Sequence, residues 1–342
     1  MPPIRKAFTI VELLVVIGII ALLISLVIVS LRGVKLAANR VDSLNSLRGI
    51  VLAYNSYSTD HRSTLMPGFL DEAALNNLYV GAELEDGIAL NQCGGGLCDA
   101  SSYVWRLAPY MGHQWQTVMT DYHSAEVTAY FLNREFSTDG SGIYGFGSAT
   151  WPTQLGIGAV PSFGLNSIFV GGDSYHGGPT AVSRNPWMPT DPNDVLAATN
   201  YTEVKNPAKL IVFGSTRYYA DQSTFYDYDN DTAPVNDPIM GYCELRPPFI
   251  PLGPDTWERH WHLEGALAVD DGGSMYSNGG GVPVGRWGDD DFLSAMLDGS
   301  TAVEDLTALG APAGFDHNYA PNAAAMQKIM SRWSPFVTAP FE

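Results

Sequence analysis

Lys6-Ala7-Phe8-Thr9-Ile10-Val11-Glu12 leads into residues 13–31, LLVVIGIIALLISLVIVSL, a run of nineteen positions without a charge. At about 1.5 Å rise per residue such a helix covers a hydrocarbon layer roughly 30 Å thick. A secretory signal peptide has a shorter apolar region, about 7–15 residues, and ends at a small-residue cut site. Here Arg32, Gly33 and Lys35 follow the run instead. Glu12 separates a plain anchor from something more specialised. A carboxylate at the edge of an apolar span is costly, so it implies a partner or a task. The stretch before Phe8, MPPIRKA, carries Arg5 and Lys6 and no acid. Those charges keep it on the cytoplasmic side.

The helix is expected to continue past the span. No proline occurs between Pro3 and Pro67, and Leu44, Leu47, Val51 and Tyr54 recur at 3-4-3 spacing. That is one apolar stripe on an amphipathic helix. The pattern predicts a helix from Thr9 to about Thr59, with Pro67-Gly68 as its outer limit. Beyond it, apolar runs at 162–170, 209–214 and 265–269 read as strands bounded by Gly, Pro and Asn. Helical pieces are expected at 71–78, 103–110, 291–297, 302–309 and 323–333. Long loops are expected over 172–194 and 219–238. The fold class is therefore α+β: a long N-terminal transmembrane and amphipathic helix packed on an antiparallel β-sheet, with long loops and a helical C-terminal extension. The expected divisions are a leader at 1–7, the helix at 8–60 (transmembrane over about 10–31), a globular part at 61–288 and the extension at 289–342. In that reading Asp289-Asp290-Asp291 caps a following helix, since acids favour helix N-termini.

The run from Lys6 to Leu14 closely resembles the processing site of type IV prepilins and pseudopilins. That resemblance implies a cut by prepilin peptidase between Ala7 and Phe8, with Ala7 standing where Gly is usual. It also implies N-methylation of Phe8 and a mature chain in which Glu12 is the fifth residue. In a filament of parallel helices the Glu12 carboxylate would face the free amine of a neighbour's Phe8. That pairing partly offsets the cost of burying both charges. Removing the leader takes away Arg5 and Lys6 and moves the formal charge from −18 to −20.

A second resemblance spans roughly residues 8–276, to the planctomycete-type prepilin-type processing-associated H-X9-DG domain family. It rests on Asn45-Ser46-Leu47-Arg48-Gly49-Ile50, on Val104-Trp105-Arg106-Leu107-Ala108-Pro109-Tyr110, on Phe163-Gly164-Leu165-Asn166 and on Val204-Lys205-Asn206-Pro207-Ala208-Lys209-Leu210-Ile211. The segment from Arg259-His260 to Asp271-Gly272 resembles the name-giving motif with altered spacing. Ten residues separate His260 from Asp271 and eight separate His262 from it, while the nine from His260 to Asp270 end on Asp271 rather than glycine.

Composition sets the outer limits. With 36 acidic and 18 basic residues the formal charge is −18, and no Lys/Arg cluster offers the basic patch that phosphate contacts need. Nucleic acid is excluded as a partner. Of the three cysteines, Cys93 and Cys98 bracket a Gly-Gly-Gly-Leu stretch and suit a disulfide in an oxidising compartment, with two free thiols as the alternative. A zinc half-site lacks a second pair to complete it. Cys243 is the odd thiol.

Two clusters admit a metal. Glu258, His260, His262 and Glu264 alternate, so on a strand they share a face, which suits a transition metal held by His260 and His262. The structural alternative has His260 bonding the Asp271-Gly272 turn. Asp227, Asp229 and Asp231 alternate like the start of a calcium loop, but Thr232 and Pro238 stand where an EF-hand has Gly and Glu. Likeness to the major pseudopilins implies a calcium site within 221–237; a solvated acidic loop is the rival. No cofactor is required, Ca²⁺ being the one candidate. No nucleophile elbow, metalloprotease helix or phosphate loop occurs in the sequence, so no enzyme is expected.

The expected function is a pilin-like structural subunit of a type IV pilus or a type II secretion pseudopilus. Its partners would be prepilin peptidase, other pilin or pseudopilin subunits and the inner membrane. It would cross that membrane once, N-terminus cytoplasmic, with the globular part periplasmic or on a surface filament. The alternatives are a membrane-tethered extracytoplasmic protein that recognises a glycan or surface partner, and a metal-dependent enzyme on a pilin-like stalk.

Overall fold

The computed structural model describes residues 10–70, 74–75, 93–94, 97–98, 102–112, 115–118, 161–172, 197–217, 243–253, 256–259, 282–283, 291–305 and 328–335. The chain divides into two compact units, Met1–Ser43 and Leu44–Glu342. The helix expected over 9–59 is α1, Ile10–Asp60. Its end is set before Pro67 is reached, because Arg62 and Ser63 both turn left-handed, with φ of 56° and 66°. The Ser63 amide then donates back to the Ser58 carbonyl at 2.7 Å, closing the last turn. Among the described residues no helix is long and apolar enough to cross a membrane. The side chains of 26–32 lie outside the description, which leaves only part of the apolar run within it.

In the second unit the stripe read from the sequence is the buried one. Leu47, Ile50, Val51, Tyr54 and Tyr57 are buried, and Leu44 packs against the same core. Their partner is an antiparallel sheet in the order β3-β4-β8-β9, comprising β3 Phe163–Leu165, β4 Ile211–Arg217, β8 Asp291–Met296 and β9 Thr301–Asp305. A short strand, β7 Val282–Pro283, pairs with the end of β4. Tyr54 meets Phe213 of β4 edge-on, with ring centroids 5.4 Å apart. This quadrupole-favoured geometry is worth about 0.5–1.5 kcal/mol beyond the area buried. Two hairpins complete the strands: β1 Cys93–Gly94 with β2 Leu97–Cys98, and β5 Phe249–Gly253 with β6 Thr256–Arg259.

The helical C-terminal extension is not what the chain forms at 291–305. Residues 291–297 and 302–309 were expected as helices; instead Asp291–Met296 and Thr301–Asp305 are β8 and β9, joined by a tight hairpin. Asp291 consequently starts a strand and caps no helix. The hairpin chemistry is explicit in Asp298-Gly299. The Asp298 carboxylate accepts from the Ser300 amide and hydroxyl at 2.9 and 2.7 Å, and the Met296 amide donates to the Ser300 carbonyl. β8 is buried along its length from Phe292 onward and sits between β4 and β9. A short apolar run enclosed on both sides can be strand as well as helix. Of the expected helix at 323–333, residues 328–330 are helical and 331–333 form a turn, while 323–327 lie outside the described residues.

The other expectations divide similarly. The helix at 103–110 is α2, Tyr103–Leu107, followed by a 3₁₀ turn at Ala108–Met111. Ser102 caps α2 by accepting from the Val104 amide, and Pro109 takes an early position in the 3₁₀ turn, where its missing N–H costs nothing. The strand expected over 162–170 stops at Leu165. Asn166 leaves the ladder, its amide donating to the Val212 carbonyl and its carbonyl accepting from Val170. The strand expected at 209–214 starts later, because the amides of Lys209 and Leu210 both turn back to the Asn206 carbonyl. The strand at 265–269, the loop at 219–238 and most of 71–78 and 172–194 lie outside the described residues.

Candidate functional site

Residues 10–25 of α1 present large apolar side chains to the outside on every face. Ile10, Leu13, Leu14, Ile17, Ile20 and Ile24 are all exposed, Ile20 least among them at 48%. Glu12, in the first turn, is the only charged residue of that stretch. A helix that is apolar all round normally belongs inside a core or a lipid layer. Single exposed leucines need no explanation, but a continuous apolar surface marks a place of interaction. Residues 44–57 contrast with it: there Leu47, Ile50, Val51, Tyr54 and Tyr57 are buried, and Leu52 alone of the large apolar side chains is exposed. Both behaviours occur along one helix, which makes the N-terminal stretch the candidate functional element.

Most of the remaining residues singled out by sequence lie outside the described set. Ala7 and Phe8 do, as do Asp227, Asp229 and Asp231 of the acidic run and His260 and His262. Glu258 is placed on β6, where its register partner is Ile250. Among the described residues no three His, Cys, Asp or Glu side chains gather as a metal site. Cys93 and Cys98 are brought together as register partners in the β1–β2 hairpin. Cys243 is half-buried and forms no disulfide among the described residues.

Two residues of the segments behind the second family resemblance, Arg106 and Asn166, tie distant parts of the chain together. Arg106 is buried, and its guanidinium donates to the carbonyls of Pro67 (2.8 Å) and Gly68. The Tyr54 hydroxyl donates to the Met66 carbonyl at 3.0 Å. The irregular stretch 65–70 therefore runs through the interior with the carbonyls of Met66, Pro67 and Gly68 occupied, as the polar groups of a buried loop must be. It is tied further by Leu65 to Thr199 and by Gly68 to Gly172. Asn166 works alike. Its side-chain amide donates at 2.9 Å both to Ile211 and to Trp333, joining the start of β4 to the C-terminal segment.

Sequence reasoning missed the pair Glu244 and Arg246. Both are buried, with 3.6 Å between Arg246 Nε and Glu244 Oε1. They flank Leu245, whose amide donates to the Leu165 carbonyl, while the Leu165 amide donates to the Cys243 carbonyl, so that this segment bridges to β3. The only cue was the alternation in Cys243-Glu244-Leu245-Arg246, which equally fits an exposed edge. A buried pair of this kind fixes an arrangement more than it adds stability, since desolvation offsets its attraction.

Tyr103 lies nearby, fully enclosed, with its hydroxyl donating to the Phe163 carbonyl. Burial, and secondarily the Cys243 thiol, push its pKa well above the ordinary tyrosine value. The folded state thus holds this proton more tightly than the unfolded chain does. Its contribution to stability is whole below about pH 10, the unfolded value, and declines as the pH climbs from there toward the raised folded value. In Tyr103→Phe the steep alkaline loss of stability is expected to flatten relative to the parent protein. Urea midpoints measured at neutral pH and above pH 10 check this, and parallel curves would refute it.

No family model, no curated protein and no solved structure matches the chain.

Proposed function

We propose that the chain is a pilin-like or pseudopilin structural subunit, cut between Ala7 and Phe8 and assembled through its N-terminal helix into a filament. The observation that carries this reading is the exposure of apolar side chains all round residues 10–25, with Glu12 as the only charge among them. Such a surface needs either lipid or a bundle of like helices around it. A membrane holds the helix before assembly, and neighbouring subunits enclose it afterwards.

Glu12 gives the bundle a register. Cutting after Ala7 frees the Phe8 amine, and in parallel packing the carboxylate of one subunit pairs with the amine of the next. Prepilin peptidase, other pilin-like subunits and the inner membrane are the partners in this reading.

The test is Glu12→Ala in the full chain. Removing one member of a buried pair costs about 3–5 kcal/mol, enough to reduce subunit association on the order of a hundredfold or more. Filament or cross-linked polymer should disappear, while protein level and membrane fraction stay constant. Unchanged assembly would overturn the proposal.

A further inference from the structure

We infer that Cys93 and Cys98 close a disulfide across the β1–β2 hairpin. The two residues are Cα partners in antiparallel register, as are Gly94 and Leu97 within them. Directly opposed residues in such a ladder have Cα atoms about 4.5 or 5.5 Å apart. Both separations fall inside the roughly 4.4–6.8 Å that a disulfide spans. Opposed positions also lie on one face of a ladder. The intervening Gly95-Gly96 has the composition that two-residue hairpin connections require.

The hairpin has a need for such a link. β1 and β2 are two residues each and pair only with one another among the described strands. An isolated two-stranded hairpin is marginal in water. A covalent tie between its first and last residues would hold the register that so few backbone bonds leave loose. Cys243 is a separate thiol, its carbonyl bonded to Leu165 beside β3.

The chemistry is thiol–disulfide exchange with a low-molecular-weight disulfide. One cysteine thiolate attacks oxidised glutathione, forming a mixed disulfide and releasing one glutathione thiolate. The second cysteine thiolate then displaces the other glutathione. Two protein thiols lose two protons and two electrons, and one glutathione disulfide becomes two thiols. The geometry of this link is independent of the filament reading. Its occupancy in the cell rests on that reading, because it requires the globular part to lie outside the reducing cytoplasm.

The test uses the full chain in detergent, equilibrated with mixtures of reduced and oxidised glutathione, alkylated and mapped by peptide mass. The expected product is an intramolecular Cys93–Cys98 link with Cys243 alkylated. In Cys93→Ser the expected species is Cys98 carrying glutathione, and Cys243→Ser should leave the link intact. Stable glutathione adducts on both Cys93 and Cys98 of the parent chain, or links from either to Cys243, would overturn the inference. Alkylation in intact cells separates the two readings. A link that forms with glutathione but is absent in cells supports the hairpin geometry and overturns the extracytoplasmic placement.

Discussion

Trp333→Ala is expected to lower the stability of the second unit by about 3–5 kcal/mol, the range for emptying a large aromatic site. Trp333 is completely buried, and its ring stacks near Phe292 of β8, with centroids 6.4 Å apart. The backbone around it is equally engaged. The Ile211 amide donates to the Arg332 carbonyl at 2.8 Å, and Lys205 to Pro335. Asn166 holds the Trp333 carbonyl itself. Residues 328–335 thus complete the hydrogen bonding at the head of β4, where its pairing with β8 is irregular between Ile211 and Phe213. Arg332 adds bonds to the Glu304 carboxylate of β9 and to the Lys209 carbonyl. Being partly solvated, that ion pair is worth about 1 kcal/mol at most. Trp333→Phe keeps an aromatic ring in the site and should lose clearly less. Urea unfolding followed by tyrosine fluorescence and far-ultraviolet dichroism gives the midpoints. If Trp333→Ala unfolds at the same urea concentration as the parent, the C-terminal segment is no part of the cooperative core.

This dependence on the tail is also where the sequence misled. The α1 helix was legible because two strong signals agreed: freedom from proline between Pro3 and Pro67, and a stripe from Leu44 to Tyr54 with helical spacing. The antiparallel sheet was legible at β4, whose Ile211-Val212-Phe213 run is β-branched and aromatic. At 292–297 the run Phe-Leu-Ser-Ala-Met-Leu has good helix formers, and local preference pointed the wrong way. Enclosure between β4 and β9 decided the outcome. The overlooked signal was Asp298-Gly299, a dipeptide that marks hairpins more reliably than the flanking residues mark a helix. The reading of α1 as an assembly element rests on its apolar surface and on Glu12, both visible in the sequence. The buried pair of Glu244 and Arg246 was not, because burial of a charge is decided by tertiary neighbours rather than by its own segment.

Gly171→Ala is expected to be among the most damaging single-methyl changes in the molecule, costing about 4 kcal/mol or more, a size reserved for a few mechanisms. Two of those mechanisms coincide at this position. Gly171 has φ of +76°, a conformation that charges an L side chain roughly 1–2 kcal/mol. A Cβ there would also fall 2.0 Å from the Met66 carbonyl oxygen and 2.9 Å from Pro67 Cα. Neither atom can retreat cheaply. Met66 accepts the Tyr54 hydroxyl, Pro67 accepts Arg106, and Gly171 is itself bonded to Ala198. Moving the loop would therefore break buried bonds at about 1–3 kcal/mol for each group left unsatisfied. Gly112 provides the control. Its φ is +60°, but nothing lies within 4 Å of the position its Cβ would take. Gly112→Ala should cost only the backbone strain, about 1 kcal/mol. Unfolding midpoints of the two variants, measured side by side, separate strain from collision. Equal losses would mean that the 65–70 loop yields to the new methyl group, and that the Tyr54 and Arg106 bonds do not hold it in place.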